Sequence, residues 1–117
     1  MALHEHRRVT HAAVVEVVGG LDLSTLTRWE AEVGNASEAS RTVVLDLTAV
    51  DFLDSAGVHG LFRMLAALEG QGKDVAVVAP SGGPVRRLLE ILDLPAIARL
   101  CETREDAAAL SRPFRSP

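Results

Sequence analysis

Two nearly unbroken runs of β-branched and aliphatic residues constrain this chain most: Thr42, Val43, Val44, Leu45, Asp46, Leu47 and Asp74, Val75, Ala76, Val77, Val78, Ala79. Neither alternates apolar with polar, so each reads as a strand covered by other elements rather than one facing water. Between them Val58, Leu61, Phe62, Leu65 and Leu68 fall on one face at helical spacing, which predicts an amphipathic helix over 55–68 closed by Gly70, Gln71 and Gly72. Strand, helix and strand in that order need crossover connections. A mostly parallel sheet with right-handed crossovers is expected.

The same alternation extends to both sides. Ala12, Ala13, Val14, Val15, Glu16, Val17 and Val18 read as a strand closed by Gly19 and Gly20, with a short strand near 3–9 pairing to it across a turn. Over 24–36, Leu26, Trp29, Val33 and Ala36 share a helical face from which Arg28, Glu30 and Glu32 are absent. A third helix begins near Pro84, suited to a first helical turn, with Ser81 upstream as its cap; it buries Val85, Leu88, Leu89 and Leu92. Residues 97–101 make a last strand, and Thr103, Arg104, Glu105, Asp106 has the form of a capping sequence opening a terminal helix through Leu110. Only 3% of the 117 residues are aromatic while 48% are hydrophobic, so the core is built from Val, Leu, Ile and Ala, as suits helices layered on a sheet. The expectation is a single α/β domain over 3–111, with a mixed sheet of four or five strands, about four helices packed largely on one side, and a loose tail at 112–117.

Charge and residue usage exclude several functions. A formal net charge of −4 leaves no basic footprint for nucleic acid. Cys101 stands alone, which rules out an internal disulfide or a cysteine-rich zinc site; it reads as a buried apolar residue in a reducing compartment. His4, His6 and His11 have no acidic or Cys ligand at a convincing spacing, so neither metal nor cofactor is expected. A nucleophile elbow would need glycines two residues either side of Ser55, and although Gly57 fits, Leu53 does not. Gly82 and Gly83 precede a helix without the Lys or spacing of a Walker loop, and Arg86 and Arg87 read as a solvated helix face. Of the four carboxylates Asp22, Asp46, Asp51 and Asp54, Asp46 lies within a strand and Asp51 beside a hydrophobic anchor, so no shared catalytic pocket and no enzyme is inferred. The N-terminus is polar, and no apolar run approaches the roughly 18 to 20 residues that span a bilayer. A cytoplasmic chain without direct membrane insertion is expected.

The chemistry concentrates where the buried strand at 42–47 runs through a short loop to Asp54, Ser55, Ala56 and Gly57. This places Ser55 at a helix N-terminus, where unpaired N–H groups and the dipole stabilise oxygen-rich or anionic groups. Local sequence favours Asp54 or Ser55 as no more than a helix cap; a phosphate on the Ser55 hydroxyl is the alternative, which only the pattern across the whole chain supports. His59 lies one turn along the same side, either simply exposed or touching a partner. Leu61 and Phe62 read as core, Val58 as core or docking surface.

Taken together, Gly20-Leu21-Asp22, the Val44-Leu45-Asp46-Leu47 strand, the Asp54-Ser55-Ala56-Gly57 turn before an apolar helix, and Pro84-Val85-Arg86-Arg87-Leu88-Leu89 leading to Leu92-Asp93-Leu94 resemble the STAS family, and within it the bacterial anti-sigma factor antagonists. The resemblance implies a partner switch. Unmodified Ser55 would leave the chain bound to an anti-sigma factor that is itself a serine kinase of the GHKL type, freeing a sigma factor; phosphorylation would release the kinase, and a metal-dependent serine phosphatase would reset the chain. Asp22, Leu23, Asp54, Ala56, Gly57, Val58 and His59 would form the partner-binding surface around Ser55. Ala56 stands where relatives often carry Ser or Thr, leaving Ser55 the sole acceptor in the turn. A phosphate would add about −1.5 to −2 charge beside Asp54, with Asp22 expected in the neighbouring loop. The same resemblance admits a stressosome-like scaffold subunit or a STAS subunit of a membrane lipid transporter.

Overall fold

The computed structural model describes residues 12–110. The strand expected at 3–9 and the three N-terminal histidines lie outside them. The long β-branched runs are strands: β1 (Ala12–Glu16), β3 (Thr42–Asp46) and β5 (Asp74–Val78) pair side by side, and β6 (Arg99–Cys101) completes a sheet of order β1-β3-β5-β6. Every ladder among the described residues is parallel; the mixed character expected of the sheet rested on the segment at 3–9.

Side chains alternate across this sheet as strand geometry requires. Val15, Val43, Leu45, Val75 and Val77 face one side, where they meet Leu26, Trp29 and Val33 of α1 (Leu26–Ala39), Leu61, Met64, Leu65 and Leu68 of α2 (Ser55–Gly70), and Leu89 of α3 (Pro84–Ile91). Val44, Ala76, Val78 and Cys101 face the other, against Ala107 of α4 (Arg104–Leu110). Three helices thus cover one face and one short helix the other. All five residues of β3 are buried, which explains the lack of polar alternation in its sequence.

Two elements differ from the sequence reading. Gly19 and Gly20 do not end the first strand; after a bend at Gly19 (φ +85) they open β2 (Gly19–Leu21). The supposed loop before Asp54 contains β4 (Val50–Leu53), and β2 and β4 form a separate two-stranded parallel ribbon. Glycine disfavours strands, and pieces of three and four residues are too short to show a period.

Smaller corrections lie around α3. Its N-cap is Gly83, with no side-chain cap, while Ser81 instead bonds Glu102 through both its hydroxyl and its N–H. Leu92 is 43% exposed because the helix ends at Ile91 and a 3₁₀ turn (Leu94–Ala96) follows, which also shortens the last strand. Arg86 is not solvated: its guanidinium donates to the carbonyls of Ala79 (2.7 Å) and Cys101 (3.4 Å), tying the ends of β5 and β6 to α3. Thr103 does cap α4, its Oγ1 accepting from the Asp106 N–H at 3.0 Å.

Candidate functional site

The site grows from the end of β3. Asp46 Oδ1 accepts from both the N–H and the hydroxyl of Thr48, turning the chain, and β4 then pairs with β2. At the end of β4 the Asp54 N–H reaches the Leu21 carbonyl at 3.4 Å. Asp54 is extended (φ −118, ψ 177), and its Oδ1 accepts from the Gly57 N–H at 2.8 Å, so Asp54 is the N-cap of α2. This decides the capping question. Ser55, the first helical residue, is exposed, and no hydrogen bond holds its hydroxyl among the described residues.

The first turn of α2 sits tightly on the loop after β2. A Cβ at Gly57 would fall 1.8 Å from the Leu21 carbonyl oxygen and 2.9 Å from the Asp22 nitrogen, a contact no side chain permits. Three residues on, a Cβ at Gly60 would lie 2.4 Å from Leu26 Cδ1, so the same bare face lets α1 approach. The sequence thereby brings the Asp22 loop against the helix end carrying Ser55. Gly57 itself is buried, which corrects its assignment to the docking surface: its bare Cα is spent on the contact with Leu21 and it offers a partner no side chain.

The remaining predicted residues divide by exposure. Leu23 is 72% exposed, His59 is exposed, and Asp22, Asp54, Ala56 and Val58 are half-buried. Leu61 is core and Phe62 packs partly against it. The Asp22 carboxylate serves its own loop: Oδ1 accepts from the Ser24 hydroxyl (2.6 Å), the Ser24 N–H (2.9 Å) and the Thr25 N–H (3.1 Å). The Ser24 hydroxyl, with these N–H groups, holds its pKa below the ordinary carboxylate value. Thr25 Oγ1 and Trp29 Nε1 both donate to the Gly20 carbonyl, at 3.0 and 3.3 Å, pinning β2 to α1.

The hydrophobic anchor beside Asp51 is Val50, which is buried in the core with Leu53 packed against it. Phe52, to which sequence reasoning gave no role, is 54% exposed, opposite Gly20 in the ribbon. Asp46 is buried and joined to Arg104 of α4, whereas Asp51 is exposed. No helix among the described residues is long and apolar enough to cross a membrane.

Comparison with known proteins agrees with this architecture. A family model described as the STAS domain matches residues 2–107. The anti-sigma-F factor antagonist RsfB of Mycobacterium tuberculosis is 35% identical over 99 residues, covering 81% of this chain and 77% of that protein. The crystal structure of an anti-sigma factor antagonist from Mycobacterium paratuberculosis superposes with a TM-score of 0.74 at 31% identity, covering 86% of this chain and 85% of that one. The Bacillus cell fate determinant SpoIIAA in its phosphorylated form shares the fold, with a TM-score of 0.62 at 21% identity over 88% of this chain and 93% of that one. With the parallel sheet, the ribbon and the helix start at Ser55 all in place, the chain belongs to the STAS domain family.

Proposed function

We propose that this chain is an anti-sigma factor antagonist, a binding module that holds an anti-sigma factor serine kinase while Ser55 is unmodified and releases it once Ser55 is phosphorylated. One observation carries the reading: Asp54 caps α2, so the exposed Ser55 hydroxyl at the first helical position has no structural task. Two similar proteins are named as anti-sigma factor antagonists, which supports it.

The chemistry follows from position. Ser55 Oγ attacks the γ-phosphorus of ATP in the kinase, the bond to the β–γ bridging oxygen breaks, ADP leaves, and the serine proton passes to a base of the kinase. The product carries about −1.5 to −2 charge at neutral pH. It lies beside Asp54, near the Asp22 loop, and opposite the phosphates of the nucleotide that delivered it. Like charges forced together in a partly dry interface cost several kcal/mol, and about 1.4 kcal/mol is tenfold in affinity. Within the free protein the same phosphate meets the N–H groups and positive dipole end of a helix. Phosphorylation therefore changes binding and leaves the fold alone. A metal-dependent serine phosphatase would restore the hydroxyl.

The test is a binding assay with the purified kinase and three chains: wild type, Ser55→Ala and Ser55→Asp. Phosphate transfer from ATP should be lost in both variants. Ser55→Ala should retain the kinase, whereas Ser55→Asp should lose about tenfold or more in affinity with a melting temperature within about 3 °C of wild type. Equal binding by all three chains would refute the switch.

A further inference from the structure

Ser55 and His59 stand one turn apart on the outer face of α2, and both are exposed. The residues between them turn elsewhere: Gly57 is buried against Leu21, and Ala56 and Val58 are half-buried. Side chains four apart on a helix approach to about 5–6 Å between Cβ atoms. Each leans towards the helix N-terminus, which directs the imidazole of His59 to the turn that carries Ser55. No hydrogen bond or ion pair engages either side chain among the described residues. Charge around the two is one-sided. The segments 17–24 and 47–60 contain Asp22, Asp51 and Asp54, and their one basic side chain is His59. The next cation along the stripe, Arg63, is held by Glu30 of α1 at 3.1 Å.

A phosphate on Ser55 therefore has carboxylates around it and a single imidazole within reach. The phosphate takes its second charge near about pH 6, and an imidazole changes charge between about pH 5 and 8, so the two are oppositely charged together near neutrality. Hydrogen bonds between such ions are roughly twice as strong as neutral ones. Resting on the reading of Ser55 as a phosphate acceptor, we propose that His59 is the counter-cation of that phosphate: its imidazolium N–H donates to a phosphoryl oxygen and holds the group along the outer face of α2. The pair gives the switch a pH dependence. As pH rises the imidazole loses its charge while the phosphate gains one, so the end of α2 becomes more negative through both groups. Arg63 and Glu30 balance each other, and the carboxylates of Asp22, Asp51 and Asp54 add to the negative side. Repulsion of the kinase is accordingly stronger on the alkaline side of neutrality than on the acid side.

The test uses the full chain with phosphoserine installed at position 55 during translation, as wild type, His59→Gln and His59→Lys, with melting curves to verify that each is folded. Phosphorus NMR follows the second ionisation of the phosphate. Its midpoint in wild type should lie about 0.3 of a pH unit below that in His59→Gln at low salt, about a twofold change in the ionisation constant. The difference should vanish in about 1 M salt. His59→Lys, a cation throughout this range, should restore the lowered midpoint, which a merely structural role for the ring would not produce. The anti-sigma factor kinase bound by the unmodified chain is then titrated at about pH 6 and about pH 8. Its preference for unmodified over phosphorylated protein should widen with pH by about twofold more in wild type than in His59→Gln. Coincident phosphate titrations in all three chains, with the kinase still rejecting the phosphorylated form, would overturn the pairing alone. Equal binding of phosphorylated and unmodified wild type would overturn the functional reading, and with it the role of this pair in a switch.

Discussion

At Gly57 the helix that begins with Ser55 meets a backbone carbonyl, that of Leu21, and the oxygen cannot swing aside as a side chain would. Gly57→Ala places a Cβ 1.8 Å from it. The variant is expected to lose about 2–3 kcal/mol, lowering the melting temperature by about 10 °C, and to displace the Asp22 loop from Ser55. Gly34 is the opposite case, inside α1 with open space around its missing Cβ. There alanine costs nothing sterically and lowers the backbone entropy lost on folding, so Gly34→Ala should gain about 0.5–1 kcal/mol. Melts of the two variants by circular dichroism must shift in opposite directions. The same measurement separates Asp54 from Ser55: Asp54→Ala removes a cap and should lose about 1 kcal/mol, while Ser55→Ala should be nearly neutral. Equal losses at the two positions would make the hydroxyl a second cap and remove the reason for regarding it as free.

Among the elements, α4 stands apart because it covers the sheet face opposite the other helices and buries Ala107 there. Its register is set by charge. Arg104 donates through Nε to the buried Asp46 carboxylate at the end of β3 and reaches Glu16 of β1 at 3.4 Å. Burial pushes the Asp46 pKa up, but hydrogen bonds from the Thr48 hydroxyl, Arg104 and the Thr48 N–H outweigh it, and the net displacement is downward. A carboxyl with a folded pKa below its unfolded value favours the folded state once ionised. That contribution is fully present above the ordinary carboxylate range and is lost as pH falls through the depressed value. Asp22 is displaced in the same direction and adds to the acid sensitivity. Asp46→Asn should therefore lose about 1–3 kcal/mol at neutral pH. Its urea midpoint should also fall less steeply than that of wild type between about pH 5 and about pH 2. Parallel curves for the two proteins would show that the ion pair contributes nothing to folding.

Over the whole molecule, the order β1-β3-β5-β6 follows the chain without reversal. Among the described residues the sheet therefore lacks the reversal of strand order at which open parallel sheets bind small ligands. The ribbon is joined to the main body through Trp29, the one tryptophan in a chain without tyrosine, buried and bonded to the Gly20 carbonyl. Its fluorescence thus reports on the ribbon, whereas far-ultraviolet circular dichroism reports on the helices. The two denaturation curves should coincide if ribbon and body unfold as one unit. An earlier fluorescence transition would mean that the ribbon opens independently. Sequence alone determined the features that repeat over many residues or sit within one turn: the three long strands, the amphipathic faces of α1 and α2, the Thr103 cap, and Ser55 at a helix start. Periodicity and capping are local physics, written in neighbouring residues. Tertiary structure alone decided that Gly19–Leu21 pairs with Val50–Leu53, that Phe52 faces out, and that Arg86 is held by the carbonyls of Ala79 and Cys101. Each of those depends on a contact between residues far apart in the chain, often through a missing side chain or a backbone carbonyl, and such contacts leave no period in the sequence to read.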